Sequence, residues 1–405
     1  MLYLYDDAVA RRWQPFALTR PIGELLLGAY TFRDRAERFF GERCTGHVSA
    51  PHLLGFDESD AAPVVDLASI DTSRPRIFLS SRAVLDSSAV VPAVRTPAVL
   101  RVGDDTVGFV LPAGTANPGL SELDPGAAGD GMPEVRLAGR VLRHVWDLVA
   151  ANAEQIARDF DDATGVHTAE PAGDLPFQTI AWQPGRLRLG RGVTIEPNVV
   201  LDFTRGPIWF ADDVTVRAFS RVAGPAYVGR GSTLLGGPYD AVSIGPVCKV
   251  HGELEESVVL GYSNKAHDGF LGHAYLGRWV NLGALTTNSD LKNNYGTIRM
   301  WTPHGDVDTG LIKLGCLLGD HVKTGIGALI NTGTVIGAGS NLYGTDMPPK
   351  YVPPFSWGTG AELTAFDIDR FIGVAQTAMG RRKLELSGRM REILREAWRI
   401  GRGAM

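Results

Sequence analysis

Between the aliphatic anchors Leu260 and Leu271 the chain runs Gly-Tyr-Ser-Asn-Lys-Ala-His-Asp-Gly-Phe, a short stretch crowded with groups able to do chemistry. His267 is the candidate general base. Its imidazole titrates near neutrality, so within hydrogen-bond reach of an amine it could take the proton as that amine attacks a thioester. A neighbouring backbone N–H would hold the oxyanion that develops. The plainer reading of His267 is a solvated turn residue. Asn281, immediately before the aliphatic Leu282, suits a sugar hydroxyl, with an asparagine turn or ladder as its structural alternative. Lys265, Lys292, Asn293, Asn294 and Tyr295 offer contacts to phosphate and CoA oxygens, unless the lysines are solvated surface charges. Tyr262, Asn264, Asp268 and Phe270 complete the candidate substrate-binding set.

His251, His267 and His273 also invite a three-histidine zinc reading. Their separations, sixteen and then six residues, do not match a coil of roughly eighteen with a near-adjacent pair, so the metal ligands stay unknown. Near the N-terminus, a glycine-rich turn after the first strand would cradle nucleotide phosphates. In its place stands Asp6-Asp-Ala-Val-Ala-Arg-Arg-Trp-Gln-Pro15. Arg11, Arg12 and Arg20 are then the evident phosphate partners, unless each is a surface ion-pair residue.

Such residues need a frame to hold them. Aliphatic residues recur every six positions in Leu189, Ile195 and Leu201, and again in Ile312, Leu318, Thr324, Ile330, Ile336 and Leu342, where Thr324 takes an aliphatic slot. Many are followed by glycine, as in Leu260-Gly261, Leu276-Gly277 and Ile336-Gly337. A period of six is neither the 3.6 of a helix nor the 2 of a strand; it is the hexapeptide signature of a parallel β-helix, expected to wind left-handed. Three hexads close a triangular coil, and stacked coils bury one another. An antiparallel sandwich would instead show alternation, with turns about every eight to twelve residues.

The expected division is an α/β domain over 1–165, a linker over 166–180, the β-helix over 181–346 and a helical tail over 347–405. The α/β reading rests on strands at Met1–Tyr5, Arg76–Leu79 and Val107–Leu111 among helical patterns at Glu24–Phe40 and Arg140–Phe160. Breaks in the hexad register at Asn288–Thr309 and Tyr262–Gly269 mark the binding face. Tail helices over Thr364–Met379 and Arg381–Ile400 would cover the open end of the prism, whose strand edges are otherwise unpaired.

Composition narrows the classes. With 405 residues the chain exceeds one ordinary core. A formal net charge of -5 provides no basic field for a nucleic-acid backbone. Three scattered cysteines, Cys44, Cys248 and Cys316, argue for a reducing compartment rather than a disulfide framework. No leader-like or membrane-length apolar run is read, so the expectation is a cytoplasmic protein without a membrane partner.

The runs Gly-Tyr-Ser-Asn-Lys-Ala-His-Asp-Gly-Phe-Leu-Gly-His, Gly-Arg-Trp-Val-Asn-Leu-Gly-Ala and Asn-Ser-Asp-Leu-Lys-Asn-Asn-Tyr, within residues 245–300, closely resemble the variant bacterial family related to the bifunctional N-acetylglucosamine-1-phosphate uridyltransferase/glucosamine-1-phosphate acetyltransferase. The resemblance implies a nucleotidyltransferase-like N-terminal domain, a homotrimer, acetyl-CoA as cosubstrate and magnesium for nucleotidyl transfer. Carried over by position, the catalytic histidine falls on His267, the substrate asparagine on Asn281 and an acetyl-CoA-contacting alanine on Ala284. The Asn-Tyr pair that contacts acetyl-CoA becomes Asp290-Leu291, and the substrate tyrosine becomes Phe270, which lacks the hydroxyl. In the N-terminal half, Leu18-Thr-Arg-Pro looks like the segment after the glycine loop of sugar nucleotidyltransferases, with Ile22 in place of the usual lysine. Ser80-Ser-Arg82 stands where a metal-binding aspartate is usual, and Asp86 is the nearest acid. The expected function is acetyl-CoA-dependent N-acetylation of an amino-sugar 1-phosphate together with nucleotidyl transfer that forms a UDP-sugar or similar nucleotide sugar. The alternatives are an enzyme with one working half and a non-catalytic sugar-nucleotide-binding protein.

Overall fold

The computed structural model describes residues 1–86, 96–124, 131–163, 168–169, 175–176, 178–183 and 186–403. About half of the expected linker over 166–180 lies outside them. Two compact units emerge: Met1–Leu25 with Tyr30–Val145 and Leu386–Arg399, and Leu26–Ala29 with Trp146–Glu385 and the residues from Ile400.

The first unit is built on a six-stranded sheet in the order Cys44–Val48, Leu2–Tyr5, Arg76–Ser80, Asp105–Leu111, Ala98–Val102, Glu134–Arg136. Leu2–Tyr5 pairs in parallel with both of its neighbours, and Arg76–Ser80 pairs antiparallel with Asp105–Leu111. Tyr3, Tyr5, Phe78, Val99 and Phe109 form its buried cluster. The three strands expected here are all present. The helical pattern over Glu24–Phe40 is realised only from Phe32 to Phe40; Ile22–Glu24 is a 3-10 turn and Leu26–Leu27 a short strand. Leu25, Leu26 and Leu27 are all buried, and three consecutive side chains cannot share one face of a helix. Thr31 then caps the helix by accepting from the Asp34 N–H, and Gly41 ends it at φ 64°. The pattern over Arg140–Phe160 likewise divides into strand Gly139–Val141 and helices Asp147–Ala150 and Asn152–Asp162.

The second unit is a parallel β-helix with three faces. One face has ten strands, running from Thr168–Ala169 and Leu187–Leu189 to Tyr351–Val352, parallel from Leu187–Leu189 onward. Its inward column stacks Val228, Ile244, Val259, Leu276, Leu318, Ile336 and Val352 in direct register. All seven are buried, and each contributes roughly 1.5–3 kcal/mol. The hexad reading therefore holds, with one exception. Ile312 is 56 % exposed, because Leu276 pairs directly with Leu318 and the residues between them include an excursion carrying the hairpin Arg299–Thr302/Gly305–Asp308.

The tail helices are Ile368–Gly380 and Gly388–Gly403. The first sets Phe371 edge-on against His321 and Phe355, along a side of the prism. The open strand edge of that face is closed instead by Leu363–Ala365, antiparallel to Ser356–Gly358. The second helix belongs largely to the first unit: its face Met390, Ile393, Leu394 and Ala397 is buried, and the Arg389 Nε donates to the Leu54 carbonyl at 2.7 Å. The short segment Leu26–Ala29 belongs to the β-helix unit. There the Tyr275 hydroxyl bonds both the N–H and the carbonyl of Leu26, the Ser243 hydroxyl donates to the Gly28 carbonyl, and Asp159 accepts from the Ala29 N–H.

Candidate active site

On the third face of the β-helix, the residue preceding each inward side chain points outward. Parallel pairing stacks these into one column, Lys249, Asn264, Asn281, Lys323 and Asn341. The Asn264 amide donates to Asn281 Oδ1 at 3.3 Å, and the Arg382 guanidinium donates to Asn264 Oδ1 at 2.7 Å. Lys249, Asn264, Asn281 and Lys323 of this column form one wall of a cavity of about 900 Å³, joined by Tyr262, Ala266 and Trp279. The opposite wall is one stripe of helix Ile368–Gly380, with Arg370, Gly373, Val374, Thr377 and Ala378, extended by Arg381. Tyr262 and Trp279 stack at 4.7 Å between ring centroids, and Arg278 lies over the Tyr262 ring. Five basic residues line this space and no carboxylate does.

The structure brings Asn281, Asn264 and Tyr262 together in this cavity. His267 stands next to it, exposed on the turn just beyond Ala266. Asp268 shares that turn, with a carboxylate oxygen 3.2 Å from His251. Phe270 opens the strand after the turn, and its N–H donates to the Thr287 hydroxyl. Ala284 lies at the same corner one coil on, where the Leu285 N–H donates to the Asp268 carbonyl.

Lys265 is elsewhere than its composition suggests. It occupies an inward slot in register with Val250, is 2 % exposed, and gives its ammonium to the carbonyls of His251 and His267. Burial pushes its pKa down to about 8. Lys292 and Asn293 sit in the excursion after the next corner, and the Lys292 ammonium is turned onto the Thr297 carbonyl. Asp290 and Leu291 begin that excursion, with Leu291 bridged to Lys313. The five basic lining residues, Lys249, Lys323, Arg370, Arg381 and Arg382, were not among the sequence expectations. The signal that finds two of them is the hexad register itself: Lys323 precedes Thr324 and Lys249 precedes Val250, as Asn281 precedes Leu282.

At the neighbouring corner His273 lies between two acids, with Nδ1 2.8 Å from Asp290 and Nε2 3.3 Å from Glu256. Burial works to lower the imidazole pKa, but hydrogen bonds and charge from the two carboxylates carry it up to about 9. A group raised above its unfolded value, about 6.5, contributes stability that is complete below that pH and lost as pH rises through 9. Denaturant midpoints are therefore expected to fall between about pH 6.5 and 8, below the range where the depressed Lys265 and Lys323 begin to act in the opposite sense. His273→Gln should remove that slope; an unchanged slope would show that another group titrates. Glu255, Glu256 and His273 are, among the described residues, the one group of side chains whose ligand atoms converge as a cation would require.

In the first unit the acids after strand Leu2–Tyr5 are already engaged. Asp7 meets Arg82 through Nε and Nη2, with both groups buried. Asp6 accepts from Ser81, Ser49 and the Ile22 N–H, and burial raises its carboxyl pKa. Arg20 is held by Glu58 at 3.0 Å and Arg11 by Asp124 at 2.9 Å, while Arg12 is exposed. These carboxylates do not form an open pair for magnesium. The cysteines are free; burial pushes the Cys248 thiol up to about 11 and the Cys316 thiol up to about 12. Among the described residues, no helix is long and apolar enough to cross a membrane.

Residues 2–167 match the family model described as sugar nucleotidyl transferase. A bifunctional sugar-1-phosphate nucleotidylyltransferase/acetyltransferase of Sulfurisphaera tokodaii is 32% identical over 91 residues, 22% of this chain and 23% of that protein. The bifunctional protein GlmU of Sphingopyxis alaskensis is 35% identical over 199 residues, 47% of this chain and 40% of that protein. The chain thus spans less than half the length of these curated relatives. Among solved structures, a point mutant of AntD, an N-acyltransferase from Bacillus cereus in complex with dTDP-4-amino-4,6-dideoxyglucose and Coenzyme A, aligns at 13% identity, covering 54% of this chain and 100% of that chain with a TM-score of 0.23.

Proposed function

We propose that this chain is a two-activity sugar-phosphate transferase, in which the β-helix acylates an amino sugar from acetyl-CoA and the first unit transfers a nucleotidyl group to a sugar 1-phosphate. The observation that carries the acyl-transfer reading is the exposed imidazole of His267 beside a cavity walled by Asn264, Asn281 and basic side chains. In the proposed step the acceptor nitrogen forms a C–N bond to the acyl carbon as the thioester C–S bond breaks. His267 takes the proton from the nitrogen and returns it to the departing CoA sulfur. Asn281 positions the sugar, and Ala284, Asp290 and Leu291 are the proposed acetyl-CoA contacts. Tyr262, Asn264, Asp268, Phe270, Lys265, Lys292 and Asn293 complete the proposed substrate set, Lys265 acting only through the turn whose carbonyls it holds. The proposed division of labour is 1–165 for nucleotidyl transfer and 181–346 for acyl transfer, with the protein working in the cytoplasm.

A homotrimer is part of this reading. Leu285, Ile326 and Leu329 are exposed around the His267 corner, and a second copy of the chain would remove them from water. Ile326→Asp is expected to lower the solution mass measured by light scattering; an unchanged mass would place the interface elsewhere.

One observation favours a second reading, in which only the acyl-transfer half turns over: the acids after strand Leu2–Tyr5 are occupied by Arg82, Ser81 and Ser49. The two are separated by assaying the full chain for each reaction, acetyl-CoA with glucosamine 1-phosphate and UTP with a sugar 1-phosphate plus magnesium. Pyrophosphate release in the second assay supports two activities. Its absence, with CoA thiol released in the first, supports one.

A further inference from the structure

We propose that the cavity beside helix Ile368–Gly380 receives the diphosphate group of a nucleotide-linked amino sugar, so that acylation follows nucleotidyl transfer. This rests on the acyl-transfer reading above and names the acceptor's class. Lys249, Lys323, Arg370, Arg381 and Arg382 line the space with no acid among them, and none of the five is in an ion pair among the described residues. Like charges gathered in a partly desolvated cavity repel one another, and an anionic ligand relieves that cost. Lys323 is the more buried of the two lysines in the outward column. Its ammonium has a single polar contact, the Trp279 carbonyl at 3.5 Å, and burial pushes its pKa down to about 8.

The layout separates a long anion from a single phosphate. Arg370 and Arg381 stand three helical turns apart, about 16 Å along the helix axis, so the cations are spread along the cavity. Arg382 and Lys323 sit across from that stripe, beside Asn264 and Asn281. The cations therefore run along a trough, and the two amides offer hydrogen bonds to sugar hydroxyls at its inner wall. A volume of about 900 Å³ falls at the upper end of pockets that hold extended ligands, roughly 300–1,000 Å³. The small residues Gly373 and Ala378 on the helix stripe leave that length open. A nucleotide sugar combines all these features: two adjacent phosphoryl groups, a long body and hydroxyls next to the charge. The CoA thioester shares the diphosphate, so the experiment must tell acceptor from donor.

The test measures CoA thiol release by the full chain from saturating acetyl-CoA, with UDP-glucosamine or glucosamine 1-phosphate as acceptor. UDP-glucosamine is expected to give a kcat/KM at least about tenfold higher, the worth of one charge-assisted contact. Lys323→Met, which replaces a half-buried cation with an apolar side chain of similar length, should raise KM for UDP-glucosamine about tenfold and leave KM for acetyl-CoA unchanged. Arg370→Met, on the exposed helix surface, should act in the same direction without risk to folding. Equal or better use of glucosamine 1-phosphate would overturn the inference and leave the acyltransferase reading standing. So would variants that raise KM for acetyl-CoA instead. If neither acceptor is acylated, the acyltransferase reading itself fails. Calorimetry with UDP-glucosamine then decides the cavity: heat lost in Lys323→Met upholds a diphosphate site, and unchanged heat rejects it.

Discussion

His267→Ala is expected to lower acyl transfer by about 10²- to 10⁴-fold in kcat, the usual worth of a positioned general base. The imidazole is exposed on a turn whose backbone is fixed from within, because the Lys265 ammonium holds the carbonyls of His251 and His267 in adjacent coils. The histidine side chain takes part in no hydrogen bond among the described residues, so its removal should leave the melting temperature unchanged. A selective loss of kcat, with KM for acetyl-CoA preserved, is the expected signature. Turnover within about threefold of the parent would remove His267 from the reaction and shift attention to Lys323.

The largest stability effect is expected in the first unit. Arg82 meets Asp7 with Nε at 3.0 Å and Nη2 at 2.6 Å, and its Nη1 reaches the Leu142 carbonyl at 2.6 Å, with both charged groups buried. Arg82→Ala strands the Asp7 carboxylate, which should cost about 3–5 kcal/mol. Adding Asp7→Asn removes the stranded charge and should recover part of the loss. Chemical denaturation of the parent, the single variant and the double variant gives all three values. A single variant within about 1 kcal/mol of the parent would mean that water already reaches the pair.

The β-helix was legible because its signal is repetitive: Leu318, Thr324, Ile330, Ile336 and Leu342 recur every six residues and are all buried, and the inward column from Val228 to Val352 stays stacked although its coils vary from 15 to 18 residues outside the insertion. The N-terminal strands were legible for a similar reason, each being a short apolar run. Segment 24–31 was not. Its leucines satisfy a helical count by number, yet they are buried on all sides and Gly28 adopts φ 67°, choices made by tertiary contacts. Ile312 misled in the opposite direction, an aliphatic residue in the right place by counting but carried out of the prism by an inserted hairpin. In the candidate site, the asparagine column could be read from position relative to the inward residues. Lys265 could not, since composition places a lysine at the surface and only the register puts it inside. The basic residues of helix Ile368–Gly380 were invisible because nothing in a linear sequence says which face of the prism a distant helix will line.

The segment Leu26–Ala29 bears on how the two proposed activities can be separated experimentally. These four residues precede most of the first unit in sequence, yet their backbone partners are Tyr275, Ser243, Asn152 and Asp159. A fragment beginning near residue 146 would take away both Leu26 partners of the buried Tyr275 hydroxyl, a loss worth about 1–3 kcal/mol, and would leave the Ser243 hydroxyl only Asn152. Bisecting the gene is thus expected to yield a weakened β-helix, so point substitutions in the intact polypeptide are the sounder way to silence one reaction at a time.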